Sequence, residues 1–396
     1  MSFEKYMPRQ TWEKLKKVAD QHQTPFMVFD LKGLDAKYQE LTENFPGCGV
    51  YYAIKANPAK PILKRLIELG SSFDVASRYE LDLVLELGCP PERLSFGNTI
   101  KKAQDVAYFY QKGVRLYATD SEADLTNIAT YAPGSEVYVR ILNEGDRTAD
   151  WPLSRKFGCH NDLAHQLLVK ARELGLVPVG ISFHVGSQQR DIGAWDAAIA
   201  KASALYYRLL EENGIRLKFL NIGGGLPAHY LSKAHTIATY AREIYRFLEE
   251  DFGKDIPHLI LEPGRSLVGD LGVLVSEVVN VARKHKNDLY RWVFLDVGLF
   301  GGLMETMGEA IKYPVYTEHN LYQTLHADQE EEVILAGPTC DSMDIMYQHF
   351  KYSLPLELKP GDRVYFFSTG AYTTTYSCVA FNGFPPLNEI YVETEA

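Results

Sequence analysis

Val50-Tyr51-Tyr52-Ala53-Ile54-Lys55-Ala56-Asn57 is an apolar, β-branched and aromatic run with one lysine near its end. It reads as a buried strand carrying a single charge. Burial strips an ammonium of its hydration and lowers its pKa, and the neutral amine that results is the nucleophile that forms a Schiff base with a carbonyl cofactor. Taken alone, Lys55 would be a strand-end ammonium left in water. The segments that follow favour the chemical reading.

Comparable runs recur at 73–77, 93–98, 116–120, 137–143, 180–187, 219–225 and 258–265. Between them, stretches at 61–69, 78–87, 162–174, 195–213 and 236–252 carry apolar residues at helical spacing. Eight strand-and-helix units in about 215 residues predict a (β/α)8 barrel. A doubly wound open sheet would set a glycine fingerprint after its first strand, where this chain has Lys55. Beyond Arg265 the texture becomes β-rich, at 267–281, 291–297, 333–337, 363–368 and 377–383, with Gly, Pro and Asn turns between. The expected organisation is a barrel over 34–266 and a β domain, sandwich or barrel, built from 1–33 and 267–396. A strand at 24–30 is expected to pair with the C-terminal sheet, and the polar stretch 318–332 reads as an exposed loop or helix rim.

Composition narrows the function classes. With 396 residues, 46% of them apolar, the chain can bury one large core or two adjoining ones. A formal net charge of −10 and the lack of a basic stripe argue against nucleic acid or an anionic membrane as partner. Cys48, Cys89, Cys159, Cys340 and Cys378 are scattered and form no CxxC pair, which suits a reducing cytoplasm rather than a disulfide framework or a metal site. The opening MSFEKYMPRQ has no apolar signal core, and no apolar run reaches the roughly 18 residues of a membrane span.

Polar residues that close successive barrel strands converge at one end of the barrel. Lys55 and Asn57 close the first run, Asp74 and Ser77 the second, and Asn98 the third. Arg140 and Asn143 close the fifth, His184 and Ser187 the sixth, Gly223, Gly224 and Gly225 the seventh, and Glu262 and Arg265 the eighth. Each has an ordinary alternative: a tight turn for the glycines, a salt bridge for Glu262 with Arg265, a satisfied core residue for His184.

The segments YYAIKAN, FDVAS, FHVGSQ, NIGGGLP, LEPGR, GPTCDSMD and GAYTTTYS with FNGF stand in one order from about Thr24 to Phe384. In this the chain resembles the fold-type III pyridoxal-phosphate-dependent decarboxylases, in particular the bacterial ornithine/lysine decarboxylase branch. The resemblance implies an alanine-racemase-like barrel with pyridoxal 5'-phosphate as cofactor. Lys55 would hold it as a Schiff base, and Glu262 would keep its ring nitrogen protonated, where the racemase relatives use an arginine. Gly223, Gly224 and Gly225 would admit its phosphate, with Arg265, Ser187 and Tyr372 completing the cradle. His184 would stack on the ring face, and Asp74 would approach from the side.

Cys340-Asp341 resembles the family's cysteine–aspartate pair. Cys340 would return a proton to Cα, and Asp341 would take the distal ammonium of a basic amino acid, helped by Glu305 or Glu309 and by Phe381 of FNGF. Either glutamate could equally belong to a solvated helix face. In the family this loop enters the partner's site, implying a homodimer with shared active sites. The resemblance points to L-ornithine decarboxylation to putrescine. The alternatives are a lysine-preferring or broader basic amino-acid decarboxylase, making cadaverine or a siderophore precursor, and a non-catalytic cofactor-binding regulator. Two departures are noted: Pro152 stands where eukaryotic relatives carry an arginine, with Arg155 as a substitute, and their amine-reading aspartate has no clear match at 301–316.

Overall fold

The computed structural model describes residues 3–143, 148–151 and 155–394. The chain divides into two compact units, one of Tyr38–Pro227 with His235–Ser266 and one of Met1–Lys37, Ala228–Ala234 and Leu267–Ala396.

The first unit is a closed barrel of eight parallel strands: Gly49–Ala53, Ser72–Val75, Leu94–Phe96, Leu116–Thr119, Glu136–Arg140, Val177–Ser182, Phe219–Asn221 and His258–Leu261. The last strand closes on the first through Ile260 opposite Gly49 and Leu261 opposite Val50. Each strand ends before the run that announced it, and at Asn57, Asn98 and Gly223 the chain beyond the strand turns into local hydrogen bonds. Past Ala53, whose N–H goes to Pro263 O (2.9 Å), the chain makes a 3₁₀ turn at Ile54–Ala56. The expected buried strand lysine is therefore corrected: Lys55 sits on that turn and is exposed, so removal from water by strand burial does not explain its chemistry.

Ala118, Tyr138, Val179, Phe219 and Ile260 form one buried cluster, joined by Tyr51 and Leu116. The rings of Tyr138 and Phe219 meet edge to face at 5.5 Å, and a Cβ on Gly180 would collide with the Phe219 ring. Such burial stabilises by about 1.5–3 kcal/mol per large side chain. The surrounding helices start on side-chain caps: Ser77 accepts from Glu80 N, Ser121 from Asp124 N and Thr236 from Thr239 N. Helices Ala103–Gln111 and Glu122–Tyr131, not among the helical stretches expected above, join the ring.

The second unit is an eight-stranded mixed sheet. Gly272–Ala282 is its spine. Its first half pairs with Phe26–Asp30 and Arg363–Phe367, and beyond a bulge at Val278/Asn280 it pairs with Arg291–Leu295. Phe26–Asp30 also pairs in parallel with Asn388–Val392, so the N-terminal strand joins the C-terminal sheet as expected. Trp12, Leu15 and Ala19 of helix Arg9–Ala19 pack on Phe26, Val273 and Tyr365 in one core cluster.

Two sequence readings fail here. The run 377–383 is no strand: it leads into a turn at Phe381–Gly383 with φ of 62° at Ala380, 50° at Asn382 and 80° at Gly383, which cannot continue a ladder. Conversely, Ile345–Pro355 is an eleven-residue strand that its polar centre concealed. The stretch 318–332 is partly ordered, with a 3₁₀ turn at Ala327–Gln329 and the start of strand Glu330–Ala336.

Candidate active site

At the C-terminal ends of the barrel strands, one lysine faces several carboxylates. Asp74 ends the second strand with 9% of its surface exposed. Its carboxyl is raised to about 7, first by burial and then by the charge of Glu262, with Lys55 and Arg140 pulling the other way. Among the described residues Asp74 Oδ1 has no hydrogen-bond partner, and a Cβ on Gly97 would collide with it. Glu80 also feels Lys55. Burial raises its carboxyl, while a hydrogen bond from Ala76 N to Oε2 (2.6 Å) opposes the rise.

Glu262 follows the eighth strand, and its Oε1 accepts from Asn221 Nδ2 at 2.5 Å. Asn221 Oδ1 in turn accepts from Gly223 N at 2.9 Å, so this one side chain orients both the glutamate and the glycine turn. Gly223 (φ 68°) and Gly225 (φ 104°) lie in the left-handed region. A Cβ on Gly224 would sit 2.7 Å from Glu262 O and 3.1 Å from His184 Nε2; one on Gly225 would be 2.7 Å from Gly186 O. With the Gly223 amide committed to Asn221, the amides of Gly224 and Gly225 are the ones that could meet an anion.

His184 Nδ1 accepts from Gly186 N (2.9 Å), which sets the tautomer with the proton on Nε2. Enclosure of the ring, then the positive charges of Arg140 and Lys55, hold it well below the usual imidazole range, so it is neutral near pH 7. Arg265 is buried and donates from Nε and Nη2 to Ser187 Oγ, both at 3.1 Å. Each of these two side chains thus has a polar partner on another strand end, Asn221 for Glu262 and Ser187 for Arg265.

Other strand-end residues serve the backbone. Asn57 Oδ1 accepts from Ala59 N, Ser77 caps Arg78–Glu86, and Asn98 Oδ1 accepts from Ile100 N. Arg140 lies 5.0 Å from the Phe157 ring centroid. Pro152 lies outside the described residues, and Arg155 is exposed with Nη2 3.2 Å from His160 Nε2. Sequence reasoning missed Glu80, hidden as the fourth residue of an ordinary Ser77-x-x-Glu80 helix start, and Asn221, quoted inside NIGGG without a role.

The remaining candidates belong to the second unit. Cys340 and Asp341 are exposed; Cys340 N donates to Asn382 Oδ1 (2.8 Å), and Asp341 Oδ1 accepts from Met343 N (2.8 Å). Phe381 is 38% exposed, its ring 4.9 Å from that of Phe300, on a cavity of about 460 Å³ that also reaches Asp296 and Thr339. Tyr372 takes φ 55°, its ring 5.8 Å from Tyr376. Glu305 is only 1% exposed, so the solvated-face alternative fails for it. Glu309 accepts from the backbone N–H groups of Gln348, His349 and Phe350 and so serves as a strand clamp. These amides hold its carboxyl below the usual range.

Residues 31–269 match the family described as pyridoxal-dependent decarboxylase, pyridoxal binding domain. A lysine/ornithine decarboxylase of Selenomonas ruminantium is 32% identical over 374 residues, 94% of this chain and 90% of that protein. SrLDC, solved in complex with PLP and cadaverine, superposes with a TM-score of 0.84 at 31% identity, covering 96% of this chain and 93% of that one. The arginine decarboxylase of Paramecium bursaria Chlorella virus, solved with agmatine, gives 0.84 at 30% identity over 95% of this chain and 100% of that one.

The barrel site fits such a cofactor. It offers an exposed amine for an aldehyde, a glycine turn that no side chain could share, a buried arginine paired to a serine hydroxyl, and a buried carboxylate oxygen without a partner.

Proposed function

The chain belongs to the pyridoxal-dependent decarboxylases, and from that premise we propose that it converts L-ornithine to putrescine. Its cofactor is pyridoxal phosphate, which supplies an electron sink for the pair of electrons left when CO2 departs. The single observation that carries the substrate reading is the Cys340-Asp341 pair: one exposed loop offers a thiol and, next to it, a carboxylate.

In this reading the Lys55 amine would hold the cofactor through its aldehyde. The positive charge of Lys55 pulls the carboxyls of Asp74 and Glu80 down against the rise that burial imposes on both. Glu262, aimed by Asn221, would hydrogen-bond the cofactor's ring nitrogen and hold its proton, which would deepen the sink. Neutral His184 would stack on the cofactor ring without adding a positive charge. The amides of Gly224 and Gly225, with Arg265, Ser187 and Tyr372, would hold the phosphate dianion. Cys340 gives Cα its proton, and Asp341, with Phe381 and the buried Glu305, receives the distal ammonium and aliphatic chain.

A homodimer is part of the proposal. Beside the exposed Cys340-Asp341 loop stand Met343 (62% exposed), Val379 (78%), Phe381 and Phe384, an apolar surface suited to burial against a second copy. The proposed setting is the cytoplasm, supported by five unpaired cysteines. Among the described residues no helix is long and apolar enough to cross a membrane.

A lysine preference is the second reading, favoured by the relative named for both substrates. One methylene changes binding by only about 1–3 kcal/mol, so the choice is a matter of degree. Comparing kcat/KM for L-ornithine, L-lysine, L-arginine and meso-diaminopimelate tests it. Ornithine is expected to lead; a higher value for lysine selects the second reading, and turnover of meso-diaminopimelate alone would refute both.

A further inference from the structure

The segment 337–344 that carries Cys340 is not a free loop. Asp344, 2% exposed, closes it like a buckle: its Oδ2 accepts from Thr339 N (3.0 Å) and Thr339 Oγ1 (2.7 Å), and its Oδ1 accepts from Leu299 N (2.8 Å). Its backbone closes the same ring, with Gly337 N donating to Asp344 O and Asp344 N to Asp341 O. A Cβ on Gly298 or on Gly337 would collide with this carboxylate, so two backbones can approach it only because both positions are glycine. A second anchor comes from the opposite side. Asn382 Oδ1 accepts from Cys340 N at 2.8 Å, and Asn382 reaches that position from a left-handed turn (φ 50°) that also carries Phe381.

From this we infer that Asn382 and Asp344 are positioning residues that preset the Cys340 thiol, so that the proton donor's backbone is fixed within the chain itself rather than by assembly with a partner. The inference rests on the reading of Cys340 as the group that protonates Cα. Asp344 fixes the loop on the Thr339 side and ties it to the turn at Leu299; Asn382 fixes the Cys340 amide itself and locks it to the residue after Phe381. The thiol and the aromatic ring proposed to meet the substrate chain therefore move as one piece. Misplacing a reacting group by about 1 Å is enough to slow a step up to about 100-fold without weakening substrate binding. A lost anchor is therefore read in kcat rather than in KM.

The test uses the holoenzyme with its best amino-acid substrate. Asn382→Gly keeps the left-handed backbone without strain but removes the acceptor, whereas Asn382→Asp restores an acceptor in a residue that tolerates this conformation. Asn382→Gly is expected to lower kcat about 10- to 100-fold with KM changed less than about twofold. It is also expected to speed amide hydrogen exchange at Cys340, and Asn382→Asp to recover most of both losses. Cys340→Ala serves as the control. If Asn382→Gly keeps its kcat while Cys340→Ala loses it, the positioning role is overturned and the role of Cys340 stands. Should Cys340→Ala keep its kcat, the reading of Cys340 fails and takes the inference with it.

Discussion

The two units hold their carboxylates in opposite ways. In the barrel, Asp74 is buried with one oxygen unpartnered among the described residues and faces Glu262 and Glu80 around a lysine, so its proton affinity is far from ordinary. In the β unit, Asp344 is buried more deeply still, yet three donors satisfy it, and its work is to hold a backbone. A buried acid without enough partners has a perturbed charge and suits chemistry; one with full partners is a structural clamp. The β unit's proposed chemical groups, Cys340 and Asp341, are exposed instead, and what the fold contributes there is position.

The sharpest way to break this contrast is Lys55→Ala. Removing the amine on which the barrel's carboxylates converge is expected to lower turnover by at least about 1,000-fold, measured as CO2 release, and to leave the cofactor removable by dialysis. Asp344→Ala comes next. It would strand three donors and is expected to destabilise the β unit by about 3 kcal/mol or more in urea unfolding, since buried groups without partners are the expensive case. Gly97→Ala should push Asp74 aside in the barrel at about 1–3 kcal/mol, with weaker cofactor retention.

A smaller effect sharpens the comparison through pH. In protein stripped of cofactor, Asp74 titrates near 7 when folded against 3.8 as an ordinary aspartate. Between these values the folded chain holds a proton that the unfolded chain has released, so stability falls as pH rises across that window. Asp74→Asn is expected to remove this slope, and Asp344→Asn is expected not to, in melting curves taken at successive pH values. The least visible prediction concerns His184, held well below the ordinary range: its ring resonances should show no titration between about pH 6 and 8.

Much of the barrel was legible because its strands are β-branched runs closed by polar residues, and the topology alone brings those residues to one end. The position of Lys55 was not. The apolar run continues through Ile54 to Ala56, but the hydrogen bond from Ala53 N to Pro263 O ends the ladder one turn earlier. Glu80 was concealed because a glutamate three residues after a serine is fully accounted for by helix capping.

The β unit was harder to read for a related reason. Gln348, His349 and Phe350 look like loop residues until Glu309, some 40 positions away, is seen to bind their amides. Residues 377–383 look like a strand until the left-handed φ values of Ala380 and Asn382 are known. Long-range side-chain to backbone hydrogen bonds leave no periodic trace in a sequence.

The central claim is that the barrel's lysine and the β unit's thiol serve one reaction, in sites shared across a dimer. Mixing Lys55→Ala chains with Cys340→Ala chains under subunit exchange tests it most directly. Random pairing makes half the dimers mixed, each with one intact site of two, so putrescine formation is expected to return to about 25% of the unmodified enzyme. If the mixture shows no more activity than the two variants do separately, the shared site is contradicted.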